Sequence, residues 1–128
     1  MNEEKEPLKV GRIPISVERA LKLHLASNVS VYMSGESISA LAEEKPASYL
    51  SIIEETSLIL RTPDFVCFCK EEEAFLFLRL YNSKSGFRFV GVGVNHVGTP
   101  KRWAFSHIKV YGQEELSQIN RRSEFVRP

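Results

Sequence analysis

Three stretches decide the fold: Ala74-Phe75-Leu76-Phe77-Leu78-Arg79-Leu80-Tyr81, Phe87-Arg88-Phe89-Val90-Gly91-Val92-Gly93-Val94, and Trp103-Ala104-Phe105-Ser106-His107-Ile108-Lys109-Val110-Tyr111. They are rich in β-branched and aromatic residues, and their side chains alternate in character with period 2, the signature of strands. The spacers 82–86 and 95–100 hold Asn, Ser, Gly and Pro and are too short for a crossover, so these strands pair antiparallel. Residues 65–70, ahead of the charged turn Glu71-Glu72-Glu73, supply a further strand of the same meander.

Working outward, the period changes to 3.6. Ser16 is placed to cap a helix with Val17, Ala20, Leu21 and His24 on one face, ending near Ser27-Asn28. Residues 29–33 alternate as a short strand. Ser37 opens a short helix that stops before Lys45-Pro46, and Tyr49, Ile52, Ile53, Thr56, Ile59 and Leu60 mark a longer one that leaves through Pro63-Asp64. Residues 113–120 form a last short helix. The sum is an α+β domain, with N-terminal helices packed on one face of a four- to five-stranded antiparallel meander. Residues 1–15 are read as a flexible lead-in and 16–128 as one domain.

The bulk properties agree. A chain of 128 residues, 43% hydrophobic and 26% charged, is one ordinary globular domain with enough mass for a core. No apolar run reaches the roughly 20 residues of a membrane span. The acidic start Met1-Asn2-Glu3-Glu4 is unlike a secretory signal. Cys67 and Cys69, two apart in an apolar run, read as reduced core thiols, and the chain as cytoplasmic. The charge is asymmetric: residues 1–75 carry 8 basic and 13 acidic side chains, residues 76–128 carry 9 and 3, and no acid lies between Glu73 and Glu114. A surface built from that gap attracts anions unless the acidic half neutralises it.

Strict alternation gives the sheet two faces. Leu76, Leu78, Leu80, Val90, Val92, Val94, Ser106 and Ile108 form an aliphatic one, expected beneath the helices. Arg79, Tyr81, Phe89, Trp103, His107, Lys109 and Tyr111 form an aromatic, basic one, with Gly91 and Gly93 as a bare floor. Pairing Tyr81 with Phe87 puts Arg79, Phe89 and His107 in one row. Such a face stacks bases and holds phosphates; it serves equally as a second core if a helix or tail covers it. Of three histidines, His24 belongs to a helix face and His96 to a turn, which leaves His107 as candidate acid or base. No metal-ligand spacing, phosphate-binding glycine loop or nucleophile elbow is present, and no cofactor is expected. Chemistry run by His, Lys, Arg, Ser and Tyr remains, and metal-free RNA cleavage is of that kind.

Tyr32-Met33-Ser34 leading into two helices, the Pro63-Asp64-Phe65-Val66 exit and the meander after it resemble the phage-associated nuclease-like domains of the barnase, EndoU, colicin and RelE superfamily. The resemblance covers roughly residues 29–120. It implies a concave RNA-binding sheet, metal-free ribonuclease chemistry, a phage or prophage setting with toxin-like character, and a role for Ser106 on the last main strand. Lys45-Pro46 departs from the pattern, since relatives often carry histidine before that proline. The expectation is an RNA-binding protein with endoribonuclease-like activity. His107, Arg79, Lys109, Tyr111 and Ser106 are its catalytic group, and Tyr81, Phe89, Arg88, Trp103 and Arg102 its nucleic-acid contacts. The alternatives are a non-catalytic module that binds nucleic acid or a protein partner or inhibitor, and a structural protein whose aromatic face is an interface.

Overall fold

The computed structural model describes residues 6–23, 29–84, 86–99 and 102–128. In chain order they form β1 (Leu8–Arg12), α1 (Ile15–Ala20), β2 (Ser30–Met33), α2 (Gly35–Glu44), α3 (Tyr49–Arg61), β3 (Phe65–Cys69), β4 (Ala74–Ser83), β5 (Gly86–Thr99), β6 (Arg102–Tyr111) and α4 (Gln113–Arg122). The helices start and stop for local reasons. Ser34 caps α2 by accepting the Ser37 N–H at 3.1 Å, and the chain leaves α2 at Lys45, ahead of Pro46. The first helix is shorter than its pattern suggests and starts behind Pro14 rather than Ser16. His24 lies outside the described residues.

The fold class is α+β, and β3, β4, β5 and β6 pair antiparallel in sequence order. The sheet is larger than a meander, however. It has six strands in the order β1-β2-β6-β5-β4-β3, and it is mixed because β2 runs parallel to β6. Leu8–Arg12, within the segment read as a flexible lead-in, forms the edge strand β1, antiparallel to β2. Hydrophobic periodicity cannot reveal a five-residue strand that pairs at its far end with a partner twenty residues away.

Both faces of the sheet are covered. On one, α1, α2 and α3 supply Val17, Ile38, Ile53, Ile59 and Leu60 to a core with Val31, Phe77, Val92, Val94 and Trp103. Thr56, buried in that core, satisfies its hydroxyl by donating to the Ile52 carbonyl at 2.8 Å. On the other, Leu116 and Ile119 of α4 close over Cys67, Cys69, Leu76, Leu78 and Tyr111. Burying each such aliphatic side chain stabilises by about 1.5–3 kcal/mol. The free edge of β3 is occupied by the C-terminal segment: Val66 and Val126 exchange both backbone hydrogen bonds, at 2.8 and 2.9 Å.

The alternation therefore assigns the faces the wrong way round on β4. Phe77 packs under the helices, and Leu78 lies on the α4 side. The hairpin register causes this. The β4–β5 hairpin pairs Ser83 with Gly86, which puts Tyr81 opposite Arg88, Arg79 opposite Val90 and Leu80 opposite Phe89. That is one residue off the expected register, and a one-residue slip moves every side chain to the other face. A β-bulge then interrupts β5–β6: Gly93 pairs with His107 but Val94 pairs with Phe105, leaving Ser106 unpaired. Across the bulge Trp103 and Phe105 join the α3 side, while His107, Lys109 and Tyr111 point to the α4 side.

Candidate functional site

The residues brought together on the α4 side are His107, Lys109 and Tyr111 of β6, with Ser106 at the bulge. The rings of His107 and Tyr111 lie across β5 where it carries no side chains. A Cβ built on Gly93 would come within 2.7 Å of His107 Nδ1, and one built on Gly91 within 2.9 Å of Tyr111 Cδ2. Among the described glycines only Gly86 has positive φ. Gly91 and Gly93 are thus glycine for space and not for backbone conformation.

A carboxylate that strand reading missed completes the cluster. Glu72 reaches in from the β3–β4 turn. His107 Nε2 lies 2.8 Å from Glu72 Oε2 and 2.8 Å from the Tyr111 hydroxyl. That hydroxyl donates to Glu72 Oε1 and Oε2 at 3.0 and 2.8 Å. A carboxylate only accepts, and the one tyrosine proton goes to it, so the imidazole proton belongs on Nε2. Nδ1 then carries the lone pair, and it faces Ser106 Oγ at 3.2 Å. Burial, reinforced by the Glu72 hydrogen bond, pushes the Tyr111 phenol well above its usual value, so it stays a donor. The cluster opens to solvent: the His107 and Glu72 side chains are 27% and 22% exposed.

Lys109 stands at the rim. It donates to Glu115 of α4 at 2.7 Å, lies 3.8 Å from Glu72, and passes over the Tyr111 ring at 4.5 Å. The Glu115 hydrogen bond raises the Lys109 ammonium above its ordinary value, and Lys109 holds the Glu115 carboxyl below its own. Beside them Arg122 pairs with Glu71 and lowers its carboxyl. The expectation of a face without acids is therefore corrected: a turn and a helix outside the acid-free stretch bring Glu71, Glu72 and Glu115 onto it. The thiols near this cluster are quiescent. Burial pushes Cys67 up to about 12 and raises Cys69 as well.

The other expected site residues lie elsewhere. Arg79, Tyr81 and Arg88 occupy the α3 side, so Arg79 does not share a row with His107. Arg79 donates through Nη1 to the Thr62 carbonyl at 3.0 Å, and to the Thr62 hydroxyl, at the end of α3. Trp103 is 3% exposed, its ring 4.8 Å from that of Phe75, and is a core residue and not a stacking platform. Phe89 is half-buried on the α4 side, 6.3 Å from Phe65. Arg102 opens β6 and His96 lies in β5, but their side chains are outside what is described. Among the described residues no group of three or more His, Cys, Asp or Glu side chains is placed to hold a metal ion, and no helix is long and apolar enough to cross a membrane.

Comparison with protein-family models, curated proteins and solved structures returns no match to this chain.

Proposed function

We propose that this protein binds RNA and cleaves it at the His107–Glu72 cluster by internal transesterification. One observation carries the reading: a partly exposed imidazole whose Nε2 is held by a carboxylate at 2.8 Å while Nδ1 faces Ser106 Oγ at 3.2 Å. This is the base-and-orienter arrangement of acid–base catalysis. His107 Nδ1 takes the proton from the ribose 2′ hydroxyl, and the 2′ oxygen forms a bond to phosphorus as the bond from phosphorus to the 5′ oxygen breaks. The imidazolium, stabilised by Glu72, returns the proton to the departing 5′ oxygen, leaving a 2′,3′-cyclic phosphate. Lys109, once turned from Glu115, offsets the charge that builds on the phosphoryl oxygens. The resemblance to the barnase, EndoU, colicin and RelE superfamily points the same way.

The reading is tested by incubating the protein with a labelled oligoribonucleotide and its DNA counterpart in EDTA. Cleavage of RNA alone with a cyclic phosphate end is expected. His107→Ala should lower the rate by about 10²–10⁴, the usual worth of general acid–base catalysis, and Glu72→Gln should lower it less. RNA left intact by the folded protein, or cleaved equally by His107→Ala, defeats the proposal.

A second reading, a non-catalytic module binding nucleic acid or a protein partner, is favoured by the pairing of Lys109 with Glu115. A cation already neutralised attracts phosphate weakly. Tight RNA binding without cleavage would select it.

A further inference from the structure

We propose that the end of the sheet around Arg79, Tyr81 and Arg88, on the face opposite the His107 cluster, is a docking site for single-stranded nucleic acid. On this face the helices cover the sheet only part of the way. Phe77 and Val92 are buried and Val90 is 3% exposed, but Arg79 and Tyr81 are half-buried, Arg88 is exposed, and Val110, opposite Val90, is 54% exposed. At that open end two guanidinium groups flank one phenol ring: Arg79 at 5.7 Å and Arg88 at 5.9 Å from the Tyr81 centroid. The Thr62 contacts fix Arg79 in place, so its guanidinium is oriented before any ligand arrives. Lys84 adds an exposed cation in the adjoining hairpin turn.

Charge distinguishes this surface from the α4 side. There Lys109 and Arg122 are paired with carboxylates; here neither Arg79, Lys84 nor Arg88 makes an ion pair with a described carboxylate. The acids that act on Tyr81 are Glu55 and Asp64, and Asp64 is engaged by the Leu80 N–H at 2.7 Å. A guanidinium offers donors to phosphate in its plane and a flat face to an unstacked base, and the Tyr81 edge and Val110 supply apolar surface beside it. Bases in a duplex are stacked on each other and present no such faces, which is why the ligand is a single strand. An acidic peptide uses the charge but not the flat surfaces.

The site does not rest on the ribonuclease reading, and its test uses a ligand that the proposed cleavage cannot touch. Fluorescein-labelled dT12 is titrated by anisotropy at several salt concentrations, with 2′-O-methyl U12, a 12-base-pair DNA duplex and poly-glutamate as competitors. Arg88→Ala should weaken dT12 binding about tenfold, the lower part of what a base-stacking contact is worth, and lower the salt slope by about one. Arg88→Lys should recover the salt slope but not the affinity, and Arg122→Ala, on the α4 side and outside the proposed cleavage site, should bind as the parent does. Urea midpoints show that each variant is folded. Unchanged binding in Arg88→Ala overturns the proposal, as does poly-glutamate competing as well as 2′-O-methyl U12, loss of binding in Arg122→Ala instead, or no binding of dT12 and 2′-O-methyl U12 by the parent.

Discussion

Gly93→Ala is the substitution that the site geometry constrains most tightly. Its backbone accepts alanine, so the effect is one of space alone. The new methyl carbon would lie 2.7 and 3.0 Å from the two imidazole nitrogens, with Cε1 nearer still. The ring must retreat by roughly 1 Å to reach ordinary contact, which takes Nε2 out of hydrogen-bonding range of Glu72. Losing a hydrogen bond to a charged group costs about 1.5–3 kcal/mol, and the partial exposure of this one favours the lower figure. Strain from overpacking adds about 1 kcal/mol or more. Alanine's lower entropy in the unfolded chain returns about 0.4–1 kcal/mol, so the net loss is about 1–3 kcal/mol. Urea unfolding followed by the fluorescence of Trp103, the single tryptophan and a buried one, measures it. In a His107→Ala background the obstruction is gone, and Gly93→Ala should become neutral or slightly stabilising. An equal loss in both backgrounds would show that the conflict is not with His107 and would refute the account.

Leu116→Ala, which removes a 7%-exposed anchor of α4, should cost about 2–4 kcal/mol and make residues after Gly112 sensitive to protease; a loss below about 0.5 kcal/mol would mean that α4 is not held by this face. On the acid side, the Glu115 carboxyl is depressed by Lys109, so its stabilisation is present above the ordinary value of 4.5 and is lost as pH falls through the folded value. Glu115→Gln should accordingly lower Tm at pH 7, by the equivalent of about 0.5 kcal/mol or less for so exposed a pair, and the difference should shrink as pH falls below 4.5. On the alkaline side, Cys67 and Tyr111 are both raised, so their contributions are complete below 9.0 and 10.0 and vanish as pH climbs through the folded values. Melting temperatures should fall above pH 9, and Cys67→Val should shrink the part that begins there, Cys69 keeping the remainder, while leaving the part that begins near 10.

Much of the architecture is legible in the amino-acid sequence, because a helix of thirteen residues such as α3 and strands as long as β4 and β6 repeat their pattern many times. What escaped is set by single residues. The hairpin register turns on whether Ser83 pairs with Gly86, and a run of Asn, Ser, Lys and Gly does not specify that. The bulge at Ser106 reverses the parity of β6 halfway along, so Phe105 and His107, two apart, face opposite ways; no side-chain pattern marks it. Of the expected catalytic group, His107, Lys109, Tyr111 and Ser106 come together because all follow the bulge or form it, whereas Arg79 stays on the other side of the sheet. Glu72 was invisible to a search along strands. The available signal was Gly91 and Gly93, whose missing side chains imply large neighbours across the ladder, two rows from the turn that carries Glu72.

The double hydrogen bond between Val66 and Val126 has a bearing on handling and engineering. It shields the outer edge of Phe65-Val66-Cys67-Phe68-Cys69, an uncharged, strand-favouring run with Phe68 42% exposed. Removing residues after Arg122 would leave that edge ready to template strands from other molecules. A chain shortened at Arg122 should therefore self-associate more readily in concentrated solution, and a fusion partner placed after Val126 needs a spacer long enough to leave that residue in register.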